Sequence, residues 1–216
     1  MKRCAIKFCG MKSKGALAYA IDLGVDYVGF VVDYPKSPRS NTLKEFLAKA
    51  KWLRENKNGK YKIVAVTVDM SLKNIQAIID SGLADVIQLH GNESAGMIKR
   101  IKGIEVWKAW SRKSKGNVME VAKYANKILL DSGNAKEKAE NTSGEFDAFD
   151  LYKKLKAEGI DVVLSGGIDS KNVVSYIEKL RPEIIDISRG IETAPGKKST
   201  AKMKEFMKTV NDYYKS

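Results

Sequence analysis

Two hydrophobic patterns alternate along the chain. Short runs rich in Val, Ile, Leu and Phe occupy residues 3–9, 26–32, 61–68, 85–89, 104–109, 127–130, 160–164 and 183–187. Several are almost unbroken, such as Ile63-Val64-Ala65-Val66. Runs of this kind suit strands covered on both faces, as in an all-parallel sheet. Between them, apolar residues recur at helical spacing. Leu17 and Ile21 follow Ser13, Leu72, Ile75 and Ile79 follow Ser71, Val173, Ile177 and Leu180 follow Ser170, and Met203, Phe206 and Val210 mark a last helix. Each serine is placed to cap its helix. Gly24, Gly82 and Gly159 stand just before a strand, where a helix commonly ends in a left-handed residue.

One strand, one helix and two loops recur about every 26 residues, which predicts a small (β/α)₈ TIM barrel of the α/β class. No linker or break in composition divides residues 1–216, so a single domain is expected. An open doubly wound sheet is the competitor, but no glycine-rich dinucleotide fingerprint follows the first strand.

Composition adds limits. The chain has 216 residues, 44% hydrophobic and 30% charged, as in soluble globular proteins. Its apolar runs fall far short of the roughly 20 residues needed to cross a bilayer, and no signal-peptide pattern follows Met1. Cys4 and Cys9 fit neither a disulfide framework nor a zinc site, so reduced thiols, no metal and a cytoplasmic protein are expected. The formal net charge of +13 allows nucleic acid, an anionic membrane surface or an anionic metabolite as partner. The basic residues are scattered among acidic ones and carry no RNA-binding signature, so neither nucleic acid nor membrane is the expected partner.

In a barrel of this kind the chemistry sits at the strand C-termini and the loops after them. Polar residues and glycines crowd that end: Cys9-Gly10, Arg39, Asp69, Gln88-Leu89-His90-Gly91, Lys108, Asp131-Ser132-Gly133, Ser165-Gly166-Gly167 and Ser188-Arg189-Gly190. Alternation puts Ala5, Lys7 and Cys9 on one face of the first strand, and Cys4, Ile6 and Phe8 on the other. A nearby ammonium favours a thiolate, although most free cysteines are small buried hydrophobes. Cys9, Asp131, His90, Lys7 and Lys108 are the candidates for proton chemistry. His90, the sole histidine, fits packing or substrate contact as well as acid–base work, and Asp131 could equally cap a turn with Ser132. The last two loops sit where such barrels present backbone N–H groups to a phosphate, with glycines allowing close approach.

Lys7-Phe8-Cys9-Gly10, Val28-Gly29-Phe30-Val31, Ser37-Pro38-Arg39, Gln88-Leu89-His90-Gly91, Leu129-Leu130-Asp131-Ser132, Leu164-Ser165-Gly166-Gly167-Ile168 and residues 186–192 occur in this order. Together they closely resemble the phosphoribosylanthranilate isomerases of tryptophan biosynthesis. The resemblance implies a cofactor-free Amadori rearrangement of N-(5-phosphoribosyl)anthranilate to 1-(2-carboxyphenylamino)-1-deoxyribulose 5-phosphate, a small-molecule substrate. It implies Cys9 as general base and Asp131 as general acid. It further implies Arg39 at the anthranilate carboxylate and Gly166, Gly167, Ser188, Arg189 and Gly190 at the phosphate; Lys7, Gln88 and His90 are expected as further substrate contacts. Lys7 would favour the thiolate. A homodimer fits the resemblance as well as a monomer does. Related sugar-phosphate barrels share the phosphate loops but differ at position 9: the histidine-pathway isomerases use aspartates, and indole-glycerol-phosphate synthase uses lysine and glutamate. Two segments depart from the usual family pattern: residues 133–144 are poorer in glycine, and Asp33-Tyr34-Pro35 is slightly long.

Overall fold

The computed structural model describes residues 3–133 and 148–215. Eight parallel strands, each followed by a helix, form the body: β1 (Ala5–Phe8), α1 (Lys14–Asp22), β2 (Tyr27–Val32), α2 (Leu43–Asn56), β3 (Lys62–Thr67), α3 (Leu72–Asp80), β4 (Val86–Leu89), α4 (Ala95–Arg100), β5 (Glu105–Ser111), α5 (Val118–Ala122), β6 (Lys127–Asp131), α6 (Ala148–Ala157), β7 (Val162–Ser165), α7 (Val173–Leu180), β8 (Ile184–Ile187) and α8 (Thr200–Lys215). Neighbours in sequence pair in order, and β1 pairs with both β2 and β8, so the sheet closes on itself. The expected (β/α)₈ barrel is the architecture found. The glycine-poor segment at residues 133–144 lies, from 134 onward, outside the described residues.

Period-two alternation gives the barrel two separate cores. Val64, Val66, Val86, Trp107, Ala109, Leu129, Val163 and Ile184 point inward with Cys9. Tyr27 and Trp107 meet edge-to-face at 5.1 Å in that interior, and Glu105 accepts the indole N–H at 2.7 Å. Cys4, Ile6, Phe8, Phe30 and Ile87 point outward under the helices, with Phe8 on Phe206 of α8 and Phe30 on Phe46 of α2.

Local signals explain the helix ends. Ser13 and Ser71 cap α1 and α3 through their hydroxyls, as the spacing predicts. Gly24, Gly82 and Gly159 all have positive φ, at +79°, +64° and +72°. Ser170 does not cap α7. Asp169 accepts from the backbone N–H groups of Lys171 and Asn172, its own N–H donates to the Asn172 side chain, and the cap position moves to Asn172. Ser170 instead donates to Glu205 of α8. Two short pieces escape sequence reading. Ser40–Asn41 pairs with β2, and Glu192–Ala194 pairs antiparallel with Lys197–Lys198 in a hairpin between β8 and α8.

Candidate active site

The C-terminal mouth of the barrel holds a cavity of about 650 Å³. Cys9, Arg39, Gln88, His90, Asp131, Gly166, Gly167, Ser188, Arg189 and Gly190 all line it. Lys7 does not. Its side chain is fully buried beneath the mouth, with its ammonium 2.8 Å from Asp186. Lys108 is also turned away. Trp107 and Ala109 take the inward positions of β5, so Lys108 faces outward and meets Glu93 at 3.1 Å.

Cys9 leaves β1 with its N–H bonded to the Ile187 carbonyl, 2.9 Å away. Gly29 of β2 makes room beside it, because a Cβ there would lie 3.0 Å from the Cys9 sulfur and 3.2 Å from the Lys7 nitrogen. Lys7 donates to Asp186 at 2.8 Å. Burial pushes the Cys9 thiol above its ordinary pKa; Lys7 pulls the other way, Asp186 adds to the rise, and Lys198 opposes it. The sequence reading of a lysine favouring the thiolate is right for that one influence, and burial outweighs it. Burial also works against the Lys7 ammonium, but Asp186 and Cys9 together hold its pKa above the usual lysine value.

Across the mouth, Asp131 ends β6. One carboxylate oxygen accepts the Gly133 N–H at 3.0 Å, so the turn-capping role is real. The other lies 3.8 Å from His90 Nε2. Gln88 Nε2 sits 3.0 Å from His90 Nδ1. With that amide as donor, the neutral imidazole carries its proton on Nε2, the nitrogen facing Asp131. The enclosing walls of the mouth draw the His90 pKa down, while Asp131 draws it up.

The last two loops abut. A Cβ on Gly190 would lie 2.2 Å from the Ile168 carbonyl oxygen, and Gly166 and Gly167 have φ of +96° and +64°. Only glycine fits this junction without displacing the neighbouring loop. Arg39 reaches the mouth from the loop after β2, held by Glu192 through Nε at 2.9 Å and Nη2 at 2.5 Å.

This geometry has close counterparts. The family model described as N-(5'phosphoribosyl)anthranilate (PRA) isomerase matches residues 6–209. The chain belongs to this family. It is 36% identical over 214 residues to the N-(5'-phosphoribosyl)anthranilate isomerase of Rhizobium leguminosarum bv. trifolii, covering 96% of this chain and 94% of the relative. Monomers generated from the dimeric phosphoribosylanthranilate isomerase of Thermotoga maritima superpose with a TM-score of 0.73 at 28% identity, covering 96% of this chain and 98% of that one. A phosphoribosyl anthranilate isomerase in complex with reduced 1-(o-carboxyphenylamino)-1-deoxyribulose 5-phosphate gives a TM-score of 0.75 at 27% identity, covering 97% and 99%.

Several residues of this family member's mouth escape the sequence reading. Asp186 lines the cavity and pairs with Lys7. Its signal was an acid inside the apolar run Ile184-Ile185-Asp186-Ile187, at an inward position of β8. Lys202, in the first turn of α8, also lines the cavity and donates to the Glu192 carbonyl at 2.7 Å. Nothing in the pattern of α8 distinguishes it from the surface lysines around it.

Proposed function

We propose that this chain converts N-(5-phosphoribosyl)anthranilate to 1-(2-carboxyphenylamino)-1-deoxyribulose 5-phosphate, an isomerase step of tryptophan biosynthesis. The observation that carries the reading is that Cys9, directly after β1, and Asp131 of β6 line one mouth together with Arg39 and the paired glycine loops. A substrate that carries both a carboxylate and a phosphate meets an acid and a base in the same mouth.

The chemistry follows in order. Asp131 gives a proton to the furanose oxygen as the bond from that oxygen to C1 breaks, and the anilino nitrogen lone pair forms the iminium. The iminium acidifies the C2 proton, which the Cys9 thiolate removes to leave an enolamine. Tautomerisation of the enolamine to the ketone completes the isomerisation, with no net gain or loss of electrons. His90 faces the second oxygen of Asp131 and orients it. Among the described residues, buried Gln88 Oε1 has no hydrogen-bond partner, which suits a substrate hydroxyl. Lys7 acts through Cys9 and Asp186, away from the substrate. The phosphate takes the loop formed by Gly166 and Gly167 together with Ser188, Arg189 and Gly190.

The cytoplasm is the expected location, given two free thiols and a phosphorylated substrate. Among the described residues, no helix is long and apolar enough to cross a membrane. A homodimer and a monomer both fit this reading.

Loss of substrate fluorescence on adding the purified protein tests the reading. Cys9→Ala and Asp131→Asn are each expected to lower kcat by about 10²-fold or more, with unchanged circular dichroism. Near-wild-type turnover in either variant removes that residue from its role.

A further inference from the structure

Glu192 and Lys198 lie in the hairpin after β8 and belong to none of the steps above. Their side chains are 5% and 2% exposed and meet at 2.8 Å. Glu192 also receives two hydrogen bonds from Arg39. Lys198 places its three protons on three acceptors: Glu192, the Ser188 carbonyl at 3.0 Å and the Ser188 hydroxyl oxygen at 3.3 Å. No donor of Lys198 is left for a substrate. The Ser188 hydroxyl donates in turn to the Cys9 carbonyl at 3.2 Å.

The hairpin and the Arg39 loop are packed hard together. A Cβ on Gly196, at φ +81°, would lie 2.6 Å from the Pro38 carbonyl oxygen. A Cβ on Gly10 would lie 2.5 Å from Arg39 Cδ and 3.1 Å from the Ser188 hydroxyl. A closed circuit therefore runs from Arg39 through Glu192 and Lys198 to Ser188 and back to the Cys9-Gly10 turn. Burying an ion pair costs desolvation that an apolar pair of the same size avoids. An apolar pair, however, leaves the guanidinium free to swing. Bonded on one edge to Glu192, Arg39 can present only its remaining N–H groups to the mouth.

We propose that the Glu192–Lys198 pair is a spacer that holds Arg39 at a fixed offset from the Ser188 phosphate loop, and so determines selection for a substrate carboxylate. The inference deepens the function proposed above and rests on it. Both residues are positioning residues.

The test compares kcat/KM for N-(5-phosphoribosyl)anthranilate with that for the same compound built on aniline, which lacks the carboxylate. In Glu192→Gln and in Lys198→Met the ratio is expected to fall about 10-fold or more, mainly through KM for the carboxylated substrate. The double variant should fall no further than the larger single effect, because the two act as one unit. A merely structural role lowers both substrates alike and leaves the ratio in place, which overturns the inference. Arg39→Ala separates the two claims. If it leaves the ratio intact, the carboxylate reading of Arg39 fails. If it collapses the ratio while Glu192→Gln and Lys198→Met both keep it, only the spacer fails. A wild-type protein inactive on both compounds overturns the proposed function itself.

Discussion

At Cys9, the thiol proposed to serve, as its thiolate, as the base for a proton on carbon sits where burial disfavours its anion. Lys7 is the strongest influence in the opposite direction. Replacing that lysine with methionine removes the nearest positive charge, so the thiol pKa must rise further. The acid limb of the kcat/KM–pH profile of Lys7→Met should therefore move to higher pH, and alkylation of Cys9 by iodoacetamide should move with it. A limb that stays in place or moves down contradicts the pairing. Strand alternation was enough to bring Lys7 and Cys9 to one face. Their third partner was not legible, because Asp186 lies 179 positions from Lys7 and only barrel closure brings them together. Nor does a strand pattern report how far burial outweighs a neighbouring charge.

Among the elements, the ends of β3, β4 and β5 are joined by the buried pair of Glu93 and Lys108. Glu93 accepts from the N–H groups of Asp69 and Gly91, and Lys108 donates to the Gly91 carbonyl at 2.7 Å. The pair thereby holds the backbone next to His90. Glu93→Ala leaves the Lys108 ammonium without its carboxylate and should cost about 3–5 kcal/mol, read as a lower urea midpoint. A change within about 0.5 kcal/mol would show the pair to be energetically idle. The strands themselves were legible because each is a dense apolar run between turn residues. What was not legible is which face Lys108 takes. A single lysine within Val106-Trp107-Lys108-Ala109-Trp110 reads the same whether it points into the barrel or beneath the helices. Capping shows the same limit: Ser13 and Ser71 had no rival, whereas Ser170 lost its place to the side-chain turn between Asp169 and Asn172.

For the whole molecule, buried acids that resist ionisation set the response to alkali. Burial raises the pKa of the Cys4 and Cys9 thiols and of the Tyr152 phenol, and takes Tyr214 to about 12. Each of these groups loses its proton in the unfolded chain at a lower pH than in the folded one. Stability is therefore fully present below the ordinary thiol value and falls as pH rises above about 8.5. The urea midpoint should be lower at pH 10 than at pH 7.5; a constant or rising midpoint would contradict this. Closure of the sheet has a consequence in time as well. Lys7 emerges from the ribosome long before Asp186, a delay of roughly 10 to 40 s at ordinary rates of synthesis. For that interval β1 has no β8 to pair with, and the lysine has no carboxylate to be buried against. The barrel can enclose its thiol only once nearly all of the chain described here has been made, so activity should appear in a single late step and not build up gradually as the chain lengthens.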